Sequence, residues 1–168
     1  MPRYAVLGTD GYKVDNPLVE GLDRERSVET QAKVMVNGDV IFTVTGGPIQ
    51  IDELFSVCQT ANNGTASTLQ YKSNPTGATA TVISGASATL ASAAAVATVR
   101  LHPTALSTAP AVIAGSAGGV SLGLNVGNRV IVHPGTLSIV IGVGSTTGTW
   151  KHYLRYRPLS SNAKVTGA

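Results

Sequence analysis

Basic and aromatic residues interleave near the C-terminus, in residues 150–157. Successive side chains of an extended strand point to opposite faces, so this segment has two different faces. One face carries Trp150, His152, Leu154 and Tyr156, and the other carries Lys151, Tyr153, Arg155 and Arg157. A platform for single-stranded nucleic acid needs its rings and its cations in one groove. Because the rings are divided between the faces, we expect a half-buried strand whose basic face, formed by Lys151, Arg155 and Arg157, meets solvent or an acidic arm.

The residue types that could catalyse a reaction are not spaced as they are in common enzyme sites. Carboxylate acid–base catalysis needs two acids that converge on one bond, and the only adjacent acids are Asp52 and Glu53. Neighbours on a strand point to opposite faces, which would separate these two carboxylates. The sequence contains no Gly-Lys pair of a phosphate-binding loop. We therefore predict that the protein is not an enzyme and uses no cofactor.

Metal ligands and thiols are sparse. The three histidines, His102, His133 and His152, show neither His-x-His nor His-Glu-x-x-His spacing. The single cysteine, Cys58, excludes an internal disulfide and a cysteine-based zinc site. We predict no metal site, and we expect Cys58 to be a small buried hydrophobic residue.

Charge is distributed unevenly along the chain. All nine acidic residues fall within residues 1–53, where five basic residues leave a net charge of −4. Residues 54–168 contain seven basic residues and no acidic side chain, a net charge of +7. Such a chain can pair its acidic part with the basic part of a neighbour, so the asymmetry indicates self-association at least as readily as nucleic-acid binding.

Length and composition favour one folded domain. The chain has 168 residues, of which 43% are hydrophobic, 5% aromatic and 12% charged, so its core must consist largely of aliphatic side chains. The first ten residues lack the apolar segment of a secretory signal, and we expect no signal peptide. The uncharged stretches 73–99 and 101–128 are rich in small polar residues and glycine, so we predict no membrane span.

Residues 1–30 differ from the remainder and are predicted to form an extended arm. The segment is charged and is interrupted by glycine and proline, which break regular elements. Its apolar residues are scattered, and we predict that they anchor the arm on its own domain or on a neighbouring molecule: Tyr4, Tyr12, Leu18, Val19 and Leu22. The alternatives are a frayed terminus and a helical turn that begins within residues 24–29.

From residue 31 to residue 168 the pattern predicts an all-β domain. Asn37-Gly38 favours a tight turn, and it predicts a hairpin between residues 32–36 and 40–45. Further strands are predicted over residues 49–52, 54–58, 65–72, 78–83, 129–132, 136–143 and 150–157, and in the second half of 86–101. Many short strands about ten residues apart indicate an antiparallel β-sandwich, a jelly roll or a barrel-like domain.

Two segments carry a family resemblance, residues 40–49 (VIFTVTGGPI) and residues 150–159 (WKHYLRYRPL). With these strand and turn patterns, the chain from about residue 34 onward resembles the capsid decoration, or cement, proteins of tailed bacteriophages. The resemblance implies a β-rich protein, commonly a homotrimer, made in the host cytoplasm and bound to the outer surface of the virion head. Its partner would be the major capsid protein, whose neighbouring subunits it would bridge. No catalytic residue is implied.

Two other functions remain open. One is a different virion role, such as a head-fibre base, a tail component or a carbohydrate-binding receptor module, for which Trp150 is the only tryptophan candidate. The other is a β-fold nucleic-acid-binding module that uses Lys151, Arg155 and Arg157.

In the decoration hypothesis, the arm docks on a neighbouring copy or on the coat, and the β domain supplies an apolar interface around the oligomer axis.

Overall fold

The computed structural model describes residues 25–62, 66–87, 89–91, 98–100, 120–122, 130–143 and 145–168. These residues form β-strands and no helix. The strands are β1 (Arg26–Glu29), β2 (Lys33–Val36), β3 (Val40–Thr45), β4 (Ile49–Cys58), β5 (Leu69–Pro75), β6 (Thr81–Val82), β7 (Thr98–Arg100), β8 (Val120–Leu122), β9 (Val130–Val132), β10 (Gly135–Ile141), β11 (Ser145–Pro158) and β12 (Lys164–Gly167). Within this part of the chain, no helix is long and apolar enough to cross a membrane.

The strands form two antiparallel sheets. The first sheet has the order β1-β11-β4-β9-β8, with β2 also paired to β11 and β7 also paired to β4. The second sheet has the order β12-β3-β10-β5-β6. The predicted all-β sandwich is therefore confirmed.

The hydrophobic core lies between the two sheets. Buried and less buried residues alternate along strands such as β5 and β11, as a half-buried sheet requires. Burial of one such aliphatic side chain contributes about 1.5–3 kcal/mol to stability. The largest fully buried side chains come from both sheets: Trp150, Tyr71, Phe42, Met35, Ile41, Ile49, Leu54, Leu69, Ile83, Leu137, Ile139 and Leu154.

The predicted hairpin around Asn37-Gly38 is wrong, although the turn itself forms. Gly38 has a φ of +89°, and the Asp39 amide donates to the Val36 carbonyl at 3.1 Å. However, β2 pairs with β11 of the first sheet, whereas β3 pairs with β10 and β12 of the second. The turn therefore carries the chain from the first sheet to the second. It packs beside β10, because the Gly38 amide donates to the Ile139 carbonyl and the Ile139 amide to the Asp39 carbonyl.

Other strand predictions agree with the structure to different degrees. The strands predicted over 129–132 and 136–143 correspond to β9 and β10, and the two predicted over 49–52 and 54–58 are one strand, β4. The strand predicted over 65–72 begins later, as β5, and that over 78–83 is reduced to β6. A helical turn within 24–29 is wrong, because residues 26–29 form β1. Strand β12 was not predicted.

A bulge in β4 corrects the expected orientation of Asp52 and Glu53. The register of β4 on β11 shifts between Glu53, which pairs with Arg155, and Ile51, which pairs with Tyr156, so Asp52 is an extra residue. A bulge places two residues of one strand opposite one residue of the other. Both carboxylates therefore lie away from the core, while the flanking Ile51 and Leu54 are both buried.

We predict that Gly135→Ala destabilises the sandwich by about 2–3 kcal/mol. Gly135 has a φ of +148°, and a Cβ built on it would lie 2.2 Å from the Asn74 carbonyl oxygen of the paired strand β5. Gly85→Ala is the matched control, because a Cβ there meets nothing within 4 Å. Urea unfolding followed by circular dichroism measures both variants. Equal stability of the two variants would contradict the described β5–β10 pairing.

Candidate functional site

Strand β11 has the two faces that its alternation predicts. Trp150, His152, Leu154 and Tyr156 are buried, and the intervening side chains point away from the core. The Trp150 ring is fully buried, and its Nε1 donates to Asn62 Oδ1 at 3.3 Å. Trp150 therefore offers no exposed surface for a sugar, and its suggested role in carbohydrate binding is wrong.

The three cations of the predicted basic face are each paired with carboxylates. Lys151 Nζ lies 2.6 Å from Glu29 Oε1, and Arg157 Nε lies 3.1 Å from Asp52 Oδ2. Arg155 bonds to two acids: its Nη1 lies 3.0 Å from Glu53 Oε2, and its Nη2 contacts Glu25. The hydrogen bond that Lys151 donates to Glu29 raises the pKa of Lys151, and the one that Arg155 donates to Glu53 raises the pKa of Arg155.

The basic face thus meets the acidic end of the N-terminal segment. Glu25 and Glu29 belong to residues 1–30, the segment assigned to the arm, and β1 within it pairs along β11 from Tyr153 to Tyr156. The next residue, Thr30, fixes this strand from the interior. Its amide donates to the His152 carbonyl at 3.0 Å, and its Oγ1 accepts from the His152 amide at 3.1 Å.

Two stacked aromatic rings lie on the same outer side of the first sheet. Phe55 of β4 and Tyr153 of β11 are directly paired, with ring centroids 5.0 Å apart and ring planes 14° from parallel. Lys151 Nζ lies 5.5 Å from the Tyr153 centroid. An open groove of about 420 Å³ runs over these rings and is lined by side chains of β1, β4 and β11, among them Ser27, Glu29, Glu53, Phe55, Tyr153 and Arg155.

A second polar cluster is enclosed in the core and joins the two sheets. Ser56 Oγ of β4 lies 2.7 Å from both His152 Nδ1 of β11 and Tyr71 Oη of β5. All three side chains are buried, and among the described residues nothing hydrogen-bonds to His152 Nε2. Burial lowers the pKa of His152 to about 4 and raises the pKa of Tyr71. Sequence reasoning missed this cluster, because Ser56 and Tyr71 are inward-facing residues of strands without a motif.

Ser56 and His152 have the spacing of a nucleophile and its base. In this fold, however, neither side chain has any surface exposed to a substrate. Their hydrogen bonds satisfy polar groups that would otherwise be costly to bury. The cluster is therefore a structural cross-link between the sheets.

The remaining candidate residues that the structure describes do not form a common site. His133 is exposed and His152 is buried, and His102 lies outside the described residues. Within the described ranges, no three His, Cys, Asp or Glu side chains are grouped to hold a metal ion. Cys58 is buried as predicted, and burial raises the pKa of its thiol. The arm anchors Tyr4, Tyr12, Leu18, Val19 and Leu22 lie outside the described residues.

Comparison of the chain with protein-family models, curated proteins and solved structures found no match.

We predict that His152 makes the stability of the fold depend on pH between about 6.5 and about 4. Because its pKa is lower in the folded state, the unfolded state binds the proton first as the pH falls through this window. Its stabilising contribution is complete above the unfolded pKa, and about 3 kcal/mol is lost as the pH falls to the folded pKa. Urea unfolding from pH 7 to pH 4 measures this loss.

Two variants test the assignment to His152. His152→Asn should be less stable at neutral pH, but its stability should vary less with pH across the window. The exposed His133→Asn is the matched control and should keep the wild-type slope. If His152→Asn retained the full slope, the pH dependence would have to come from other groups.

Proposed function

We propose that the protein is a structural virion component that decorates a capsid. In this proposal, a homotrimer sits on the outer surface of a tailed-phage head, binds the major capsid protein and bridges neighbouring coat subunits. The sequence resemblance in residues 40–49 and 150–159 supports this function, and so does the β-sandwich fold.

The observation that carries the proposal is the way in which β1 is held. An extended, acidic segment adds to the sheet as a strand through antiparallel pairing with β11, and ion pairs from Glu25 and Glu29 reinforce it. Strand addition is a general way for an extended segment to bind a folded domain. Residues 1–24 directly precede this anchored segment, and in this proposal Tyr4, Tyr12, Leu18, Val19 and Leu22 bind a coat subunit or a neighbouring copy.

Exposed valines supply a candidate surface for the trimer contact. Val34 and Val36 point outward from β2 with 38% and 49% of their surface exposed. Val143, which is 58% exposed, lies two residues before Ser145, the residue that pairs with Val36. Large apolar side chains grouped on a surface are a mark of protein interfaces, whereas isolated ones are not. We assign the oligomer interface to these three valines, the valine patch.

The ion pairs weigh against the nucleic-acid alternative. To bind phosphate, Lys151, Arg155 and Arg157 would have to leave the carboxylates of Glu29, Glu53 and Asp52. Those carboxylates would then remain beside the phosphate and repel it. The features that support decoration also fit other virion roles, such as a head-fibre base or a tail component. Measuring whether the protein binds isolated heads or isolated tails distinguishes these roles.

We predict a native mass of about 51 kDa, three times the chain mass of 17.1 kDa. Light scattering after size-exclusion chromatography measures it. Val36→Lys should reduce the mass to that of the monomer, because a charge in the valine patch must be desolvated in the contact. Val82→Lys is the matched control, since Val82 is 41% exposed on β6 of the other sheet, and it should leave the trimer intact. A wild-type monomer, or a Val36→Lys trimer, would contradict the assigned interface.

We predict that deletion of residues 1–24 abolishes attachment to coat shells while the sandwich stays folded, because β1 and its ion pairs are retained. Cosedimentation with shells assembled from the coat protein of the same virus measures attachment, and circular dichroism checks the fold. In the full chain, replacement of Tyr4, Tyr12 and Leu18 by serine should have the same effect. The control Asp10→Asn with Lys13→Gln should attach normally. Normal attachment of the deletion variant would exclude a role for the arm.

A further inference from the structure

We propose that Asn37 is a site of spontaneous deamidation and that the contact of its turn with β10 controls the reaction. Such a modification is independent of any role on a capsid. In the sequence, asparagine is followed by glycine at two positions, Asn37-Gly38 and Asn63-Gly64, and only the first pair lies within the described residues.

Deamidation joins the main chain to the asparagine side chain. The Gly38 nitrogen loses its proton and attacks Asn37 Cγ, the bond from Cγ to the side-chain nitrogen breaks, and ammonia leaves with a proton. Water then opens the cyclic imide. Cleavage of the new bond gives aspartate, and cleavage of the original main-chain bond gives isoaspartate. Glycine favours the first step, because it has no Cβ to hinder the approach of its nitrogen.

Water has free access to this turn. Asn37 and Gly38 are both exposed, and Gly38 has a φ of +89°, a left-handed conformation that glycine adopts readily. Access of the co-reactant therefore does not limit the reaction, and any control must come from the hydrogen bonds of the turn.

Both reacting groups are hydrogen-bonded to β10. The Gly38 amide donates to the Ile139 carbonyl at 2.9 Å, and the Ile141 amide donates to Asn37 Oδ1 at 3.1 Å. The first bond holds the proton that the Gly38 nitrogen must lose before it attacks. A hydrogen-bonded amide gives up its proton only when the structure opens locally, which is the basis of hydrogen-exchange protection. Deamidation therefore requires the turn to separate from β10.

The bond from Ile141 has a second effect that favours the reaction. Its N–H would stabilise the negative charge that develops on Asn37 Oδ1 during the attack, as the donors of an oxyanion hole do. That charge develops only after the Gly38 nitrogen has lost its proton, and the bond to Ile139 opposes this loss. Protection therefore outweighs activation while the turn is closed.

Asp39 holds the turn closed with both its main chain and its side chain. Its carbonyl accepts from the Ile139 amide at 3.0 Å, and its Oδ2 accepts from the Val36 amide at 3.0 Å. Asp39 Oδ2 also lies 3.5 Å from Lys33 Nζ. Loss of this carboxylate should raise the fraction of molecules in which the turn is open.

Peptide mapping by mass spectrometry tests the proposal on the full-length protein, incubated at mildly alkaline pH either folded or in guanidinium chloride. We expect Asn37 to react at least about tenfold more slowly in the folded protein, because only the open fraction reacts. In the denatured chain, Asn37 should react about as fast as Asn63, which shares the following glycine. An equal or faster reaction of Asn37 in the folded protein would overturn the proposal, and so would no reaction of Asn37 in the denatured chain.

Two variants test whether the turn controls the rate. Asp39→Ala removes the side-chain acceptor and should speed deamidation of Asn37 in the folded protein by about threefold or more. Asp39→Asn is the matched control, because it removes the charge but retains an oxygen that can accept from the Val36 amide. The rate of each denatured variant corrects for any change in intrinsic reactivity, and circular dichroism checks that each variant folds. Equal corrected rates for the two folded variants would contradict control by the turn.

Discussion

The pairing of β11 with β4 is the constraint on which the rest of the described structure depends. These are the two longest strands, and they pair from Trp150 with Cys58 to Pro158 with Ile49. Their inward residues form much of the first sheet's share of the core, and their outward residues form the aromatic pair and take part in most of the ion pairs. Because of the bulge at Asp52, β4 can bury its inward residues and pair its outward carboxylates along its whole length. Without the extra residue, the residues beyond it in β4 would be inverted relative to the core, because side chains alternate with a period of two.

The buried Ser56–His152–Tyr71 cluster shows how this core tolerates polar groups. Each hydrogen bond of 2.7 Å satisfies two buried atoms, and together the bonds connect β4 and β11 of the first sheet to β5 of the second. Apolar contacts have little directional preference, whereas a chain of hydrogen bonds has a defined geometry. The cluster therefore favours one relative position of the two sheets. The free-energy cost of burying polar groups falls mainly on His152, because its Nε2 is buried and burial disfavours its charged form.

Sequence reasoning succeeded where structure depends on local pattern and failed where it depends on distant partners. The alternation of residues 150–157 and the Asn37-Gly38 turn are local, and both are present. The hairpin failed because a tight turn reverses the chain without determining which strand each arm pairs with, and here β10 and β11 supplied the partners. The outward position of Asp52 and the Phe55–Tyr153 pair depend on cross-strand register, which the sequence of one strand does not encode.

Within the described fold, the acidic side chains are paired with basic ones, most of which lie on β11. All five acidic residues of the described part form ion pairs, Asp39 with Lys33 and the others with cations of β11. Residues 1–24 hold four acidic and three basic residues, a net charge of only −1. Long-range attraction between this segment and a basic neighbour is therefore weak, and salt would screen it further. If the arm binds a coat subunit, its scattered tyrosine, leucine and valine side chains must provide most of the binding free energy, because burial of apolar surface does not depend on net charge.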